Sequence, residues 1–358
     1  MKYKKEHTVY NAENMKVKDE DIVFYDLRCG KFDIHGLYNP YEGDGYRRIP
    51  DDVAKATSEK VFNLYKNTAG GRIRFSTDSN RIAIRVKVPH VTIRPTLTYI
   101  VTLGCDLYVE TGGIDVYRGS FKPPIDMHDE YEGIIWVGEG MKEITINLPL
   151  YNDVDKIEVG VAEGSVISPH RPYTHPKHIL YYGSSITQGA AASRPGLCYE
   201  AWISRKFDCD YINLGFAGSA KGEDAIVDYM TTLDISAFVC DYDHNAPNSE
   251  HLEATLPKVY QKMRAANPDI PIIFISKPDI HFDYEDCIKK RTVVMENYSK
   301  AWNSGDHNVW FVDGASLFGS DGREECTVDR THPNDLGFYR MAQSIGKMLW
   351  TALFMERR

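Results

Sequence analysis

The stretch His178-Ile179-Leu180-Tyr181-Tyr182-Gly183-Ser184-Ser185-Ile186-Thr187-Gln188-Gly189 reads as a short apolar strand running into a Gly-Ser-Ser turn. A strand that ends in a glycine turn holds a serine side chain at the edge of a sheet, where a substrate can reach it. A serine hydroxyl is a weak nucleophile until a base takes its proton. The C-terminal region supplies a base in Asp329-Arg330-Thr331-His332-Pro333-Asn334, with a carboxylate three residues before a histidine. In a loop, that spacing lets the carboxylate fold back onto one ring nitrogen while the other faces outward. Ser185, His332 and Asp329 are therefore the candidate nucleophile, base and orienting acid. Alone, a Gly-Ser-Ser turn is only a turn and an Asp-x-x-His only a surface loop. The order Ser…Asp…His, after a first strand and before a last helix, is what makes the set specific.

Around the serine, strands alternate with helices. Strands are expected at Ile179–Tyr182, Tyr211–Leu214, Ala237–Asp241, Ile272–Ser276 and Val309–Val312. Helices are expected at Tyr199–Phe207, Asp224–Thr231, Ser249–Ala265, Glu285–Asn303 and Asn334–Met355. Leu252, Leu256, Val259 and Met263 recur at helical spacing and form a core face. This alternation predicts a parallel sheet with helices on both faces, a three-layer α/β domain over 178–358. Ligands of such sheets bind beyond the carboxyl ends of the strands, where Ser185 lies.

Two further stretches fall at strand ends: Asn213-Leu214-Gly215-Phe216-Ala217-Gly218-Ser219 after the second strand, and Asp241-Tyr242-Asp243-His244-Asn245-Ala246-Pro247 after the third. Acyl transfer needs preorganised donors for an oxyanion. The N–H groups of Ser185 and Gly218 and the side-chain amide of Asn245 suit that task. The plain alternatives are a tight turn for Gly218 and a loop cap for Asn245.

Residues 1–165 are different in kind. Arg81-Ile82-Ala83-Ile84-Arg85-Val86-Lys87-Val88 alternates apolar and basic side chains, the period of a half-buried strand. Similar alternation runs through Ile144, Ile146 and Leu148 and through Ile157, Val159 and Val161. Further strands are expected at Ile22–Leu27, Arg72–Ser76, Thr98–Leu103, Leu107–Glu110 and Ile114–Tyr117, and a short helix at Asp52–Ser58. Many short strands broken by Gly-Gly and Pro-Pro pairs predict a β-sandwich or jelly roll. Such a domain either binds carbohydrate or packs on its neighbour and narrows the cleft. Residues 166–177, rich in proline, read as the linker.

The totals agree with two globular domains. The chain has 358 residues, 51 acidic against 42 basic, and a formal net charge of −9. That balance argues against nucleic acid or an anionic membrane as partner. The seven cysteines are scattered with no C-x-x-C spacing, which argues against a disulfide framework or a zinc site. His170, His175 and His178 are too loosely spaced for a metal centre. Met1–Lys5 could open a leader, but Glu6, His7 and Asn11 follow with no apolar run. No stretch approaches a membrane span. A soluble, cytoplasmic protein is the expectation, secreted or periplasmic if a leader has been removed.

The serine block and the Asp329–His332 block together resemble the first and last signature blocks of the SGNH (GDSL-type) hydrolases, a family of serine esterases. The resemblance covers about residues 175–358. It implies a flavodoxin-like hydrolase fold, and Ser, Gly, Asn and His from four blocks match Ser185, Gly218, Asn245 and His332. The domain order resembles a bimodular subgroup in which a β-sandwich precedes the hydrolase. Two blocks depart from the usual pattern. Ser184 replaces the aspartate of Gly-Asp-Ser, and Asp243-His244-Asn245-Ala246 stands for Gly-x-Asn-Asp. His244 is either a pocket residue or simply packed. Ala191-Ala192-Ser193-Arg194-Pro195-Gly196 resembles an Ala-Ser-Arg-Pro-Gly run of the subgroup, in which Arg194 either contacts substrate oxygens or forms a structural salt bridge.

The resemblance implies hydrolysis of short, often acetyl, esters on sugars or other alcohols. No metal or organic cofactor is required. The partner is a small acylated molecule, possibly an oligosaccharide. The same triad serves a lipase, a thioesterase or an acyltransferase. Rivals of other kinds are a catalytically dead carbohydrate-binding scaffold and a metal hydrolase built on Asp241, Asp243 and His244.

Overall fold

The computed structural model describes residues 11–278 and 283–355; the Met1–Lys5 stretch lies outside them. The N-terminal strands are β1 (Ile22–Asp26), β2 (Asp33–His35), β3 (Arg72–Thr77), β4 (Arg81–Lys87), β5 (Cys105–Thr111), β6 (Ile114–Phe121), β7 (Glu130–Trp136), β8 (Lys142–Asn147), β9 (Lys156–Ala162) and β10 (Ile167–Ser168). They form two antiparallel sheets, ordered β1-β9-β4-β7 and β10-β3-β8-β5-β6, with β2 also paired to β3. Ile82, Ile84 and Val86 of β4 share one core with Ile144 and Ile146 of β8 and Ile157 and Val159 of β9. The alternation read from the sequence thus becomes the buried face of a sandwich. On the opposite face Arg85 bonds Glu132 and Glu158, its direct partners on β7 and β9, at 2.8 Å each.

Two local readings need correction. Thr98–Leu103, expected as a strand, is the helix α3 (Tyr99–Leu103) that follows α1 (Asp51–Thr57) and α2 (Glu59–Phe62). The Thr98 hydroxyl caps α3 by accepting the Val101 N–H at 3.0 Å. The helix also sends Val101 and Leu103 into two different cores, which a strand with its period of two would not do. β7 was not expected, because Gly133 interrupts its pattern; the Phe121 ring lies 3.2 Å from where a Cβ would stand.

The C-terminal sheet contains β11 (His175–Gly183), β12 (Cys209–Gly215), β13 (Ile235–Asp241), β14 (Ile272–Ile275) and β15 (Val309–Val312). All pairings are parallel, in the order β12-β11-β13-β14-β15. Its helices are α4 (Ser185–Gln188), α5 (Tyr199–Phe207), α6 (Asp224–Met230), α7 (Ser249–Ala266), α8 (Tyr284–Asn303) and α9 (Asp335–Phe354). Leu180 and Tyr182 share a core with Ile226, Leu256 and Val294 of α6, α7 and α8. Ile179 and Tyr181 share the other with Ile203 of α5 and Phe338 of α9. Residues 166–177 do not run free: β10 pairs with β3, and β11 begins at His175 opposite Cys209. Among the described residues no helix is long and apolar enough to cross a membrane.

The two domains interlock. Ile49, Val61, Leu64 and Tyr65 lie in one core of the hydrolase domain, and Val101, Leu150 and Tyr151 in the other. Two buried arginines cross the seam. Arg48 donates to Gly215 O at 2.5 Å and to Leu64 O at 2.9 Å. Arg72 pairs with Asp210 and donates to Tyr211 O at 3.1 Å. Burial works against the Asp210 carboxylate, but the Arg72 charge and hydrogen bonds from His178 and His35 hold its pKa well below the usual range. A buried ion pair is weak evidence of net stability, yet breaking one is costly. Asp210→Ala is expected to lower unfolding free energy by about 3–5 kcal/mol, measured by urea denaturation against the wild type.

Candidate active site

β11 is flanked by β12 and β13, and their carboxyl ends are level: Gly183 stands opposite Gly215 on one side and Asp241 on the other. The loops that follow these three strands therefore emerge side by side. They carry Ser185, Gly218 and Asn245. Gly183 tolerates no side chain, since a Cβ there would stand 1.5 Å from Asp241 Oδ1.

Ser184 caps α4, its hydroxyl accepting the Ile186 N–H at 3.1 Å. That makes Ser185 the first helical residue, with an N–H that has no intrahelical acceptor. The Ser185 Oγ lies 2.9 Å from His332 Nε2, and His332 Nδ1 lies 2.8 Å from Asp329 Oδ2. The carboxylate does fold back over three residues. Its Oδ1 accepts the His332 N–H at 2.8 Å and the Thr331 N–H at 3.1 Å. Arg330 makes the bend in a left-handed conformation, φ 68°. The loop is closed by Val328 N–H donating to His332 O at 3.0 Å, just before Asn334 caps α9. Burial raises the Asp329 pKa, but the hydrogen bonds and charge of His332 outweigh it, so the group stays ionised below the usual range.

Gly218 is exposed, with φ 65°, and nothing lies within 4 Å of a Cβ placed there. A left-handed backbone in open space is a position glycine fills without strain. Asn245 ends a 3₁₀ turn, Tyr242–Asn245, and its Nδ2 donates to Phe216 O at 2.9 Å. An amide nitrogen carries two hydrogens, so one remains for a ligand. The structure thus brings Ser185, His332 and Asp329 together, with Gly218 and Asn245 on the neighbouring loops.

Arg194 is differently engaged. Its Nη1 donates to Asp106 Oδ2 at 2.5 Å and to the Tyr108 hydroxyl at 2.6 Å, and its guanidinium lies 3.7 Å from the Tyr117 ring centroid. All three partners belong to the sandwich, which favours the salt-bridge reading over the substrate-contact one. Burial, and after it the nearby charge of Lys277, push the His244 pKa well below the usual imidazole value.

Asp241 is the residue the sequence reading undervalued. Its Oδ1 accepts the Ser184 N–H at 3.3 Å and a short hydrogen bond from Thr187, on both sides of Ser185. Asp243 accepts the N–H groups of Lys277 at 2.8 Å and His244 at 2.9 Å. Both carboxylates are thus occupied by the protein's own donors. Among the described residues no three His, Cys, Asp or Glu side chains are grouped to share a metal ion.

Burial pushes the Asp241 pKa from 3.8 up to about 7, and that of Asp243 to about 6. The folded protein then holds protons that the unfolded chain has released. Stability present below the unfolded value is lost as pH rises through these two folded values. Asp241→Asn, which preserves an acceptor for Ser184 and Thr187, is expected to flatten the fall in melting temperature between pH 5 and pH 8, followed by thermal denaturation across that range.

Comparison with known proteins places the chain in a family. A family model described as GDSL-like lipase/acylhydrolase matches residues 176–350, and one described as the N-terminus of SGNH-hydrolase-type esterases matches residues 22–167. A search of curated proteins returns no match. Among solved structures, a protein of Bacteroides ovatus ATCC 8483 described as a GDSL-like lipase is 29% identical, with a TM-score of 0.84, over 94% of this chain and 99% of that one. The salicylyl-acyltransferase SsfX3 of a tetracycline biosynthetic pathway is 20% identical, TM-score 0.75, over 91% of this chain and 96% of its own. The acetyl xylan esterase Est2A of Butyrivibrio proteoclasticus is 13% identical, TM-score 0.57, over 93% and 98%. The last two likenesses are of fold. Sandwich and hydrolase domain together identify this chain as a member of the SGNH (GDSL-type) family of ester hydrolases, in its bimodular form with an N-terminal β-domain.

Proposed function

We propose that the chain is a serine esterase that removes short acyl groups, acetyl foremost, from hydroxyls of a carbohydrate. The observation that carries this reading is the unbroken line from Ser185 Oγ through both ring nitrogens of His332 to Asp329, at 2.9 Å and 2.8 Å. His332 Nε2 takes the Ser185 proton as Oγ attacks the ester carbonyl carbon. Asp329 holds the tautomer with the proton on Nδ1 and stabilises the imidazolium. The N–H groups of Ser185 and Gly218 and the free amide hydrogen of Asn245 receive the oxyanion. The imidazolium then protonates the departing alkoxide, leaving an acyl-serine. Water, deprotonated by His332, attacks the acyl-serine and releases the acid.

The carbohydrate side of the proposal draws support from the neighbours of like fold, among them an acetyl xylan esterase and a family two carbohydrate esterase described in complex with cellohexaose.

The test is hydrolysis of p-nitrophenyl acetate and butyrate, with chelator present, by wild type and Ser185→Ala. The expected result is acetate preferred over butyrate and a rate in the variant lower by about 10³-fold or more. Acetylated xylo-oligosaccharides then report the alcohol, read by release of free acetate. Equal rates in wild type and variant would refute the reading.

A further inference from the structure

The peptide group between Phe216 and Ala217 lies immediately before Gly218. Its carbonyl accepts Asn245 Nδ2 at 2.9 Å, and its N–H donates to Gln188 Oε1 at 3.0 Å. Both polar ends of this one peptide are therefore pinned, one by a proposed oxyanion donor and one by the last residue of the nucleophile helix. Gly218 itself, at φ 65°, is also held within a tight turn, with Ser219 N–H donating to Phe216 O at 2.9 Å and Ser219 Oγ to Ala217 O at 3.0 Å, so the Phe216–Ala217 peptide sets where that whole turn stands.

Gln188 is fully buried and has its own orientation fixed. Its Nε2 donates to Asn67 Oδ1 at 3.1 Å and to Leu150 O at 3.0 Å. Asn67 is held in turn, its Nδ2 donating to Asp153 Oδ1 at 2.7 Å. The next residue after Leu150, Tyr151, donates its hydroxyl to Ser185 O at 2.9 Å. Asn67, Leu150, Tyr151 and Asp153 all come from the N-terminal half of the chain. Asn67, Leu150 and Tyr151 meet α4, and Gln188 of α4 in turn holds the loop after β12.

We infer that Gln188 is a positioning residue: it sets the Gly218 loop against the nucleophile turn, and takes its own setting from Asn67 and Leu150 of the N-terminal domain. The sandwich then acts on catalysis through this bridge, without touching substrate. A side-chain amide suits the place, because one terminus must accept from Ala217 while the other donates to two oxygens. No hydrocarbon of the same size does either. The inference rests on the serine-esterase reading and on Gly218 and Asn245 as oxyanion donors.

The test is Gln188→Met, with Tyr151→Phe as a milder second variant should the first fail to fold. Each is measured for kcat and KM on p-nitrophenyl acetate and for inhibition by an alkyl boronic acid, which forms a tetrahedral adduct with a serine. Loss of one oxyanion donor lowers kcat by roughly 10²–10³-fold, so misplacing one is expected to lower it by about 10- to 100-fold. KM should hold, and boronate affinity should fall in step with kcat. A general loss of structure would not weaken the boronate in proportion to kcat while sparing KM. If Ser185→Ala abolishes turnover but a folded Gln188→Met keeps wild-type kcat and boronate affinity, this inference alone is overturned. Wild-type turnover that ignores Ser185→Ala would overturn the esterase reading and this inference with it.

Discussion

Three neighbouring parallel strands end at one level, and the proposed catalytic edge depends on that register. β11 lies between β12 and β13 with Gly183 opposite Gly215 and Asp241. Because the ends are level, the loops carrying Ser185, Gly218 and Asn245 leave the sheet together. The same register brings the Asp241 carboxylate against the turn that carries Ser185, which only glycine at position 183 permits. Asp241 then ties Ser184 and Thr187, so the residues flanking Ser185 share one buried acceptor. Keeping that acceptor dry has a thermodynamic consequence, since its pKa rises to about 7 and the fold favours its neutral form.

The N-terminal domain is more than a cover. Its connecting segments lie in both cores of the hydrolase domain, and Arg48 satisfies carbonyls at the end of β12 from across the seam. An unpaired buried arginine would be costly, so Arg72 with Asp210 constrains how the two domains can dock. Arg194 adds a third link, from the segment after the nucleophile to Asp106 and Tyr108. The residues around the triad are thus fastened from two directions: by the sheet beneath and by the sandwich alongside.

Much of this was legible in the sequence, for reasons that are local. Ile82, Ile84 and Val86 announce a half-buried strand through a period of two, and Leu252, Leu256, Val259 and Met263 a helix through a period near four. Asp329 and His332 are three residues apart, so their contact needs only a bend, which Arg330 provides. Thr98–Leu103 was misread because a β-branched run looks like a strand until its cap and its two cores are known. Asp241, Gln188 and Tyr151 stayed hidden for another reason. Their partners lie far along the chain, as Asp241 does from Ser184, and no spacing rule reaches that distance. Arg194 could be read two ways because nothing in its own segment names Asp106.

Phosphonylation of the wild-type protein by a small alkyl phosphonofluoridate tests the central role of Ser185 most directly. Located by peptide mass spectrometry and followed against residual activity on p-nitrophenyl acetate, the label should appear on the peptide containing Ser185, one per chain, in proportion to the activity lost. Inactivation with the label on another residue, or full labelling of Ser185 with activity retained, would contradict it.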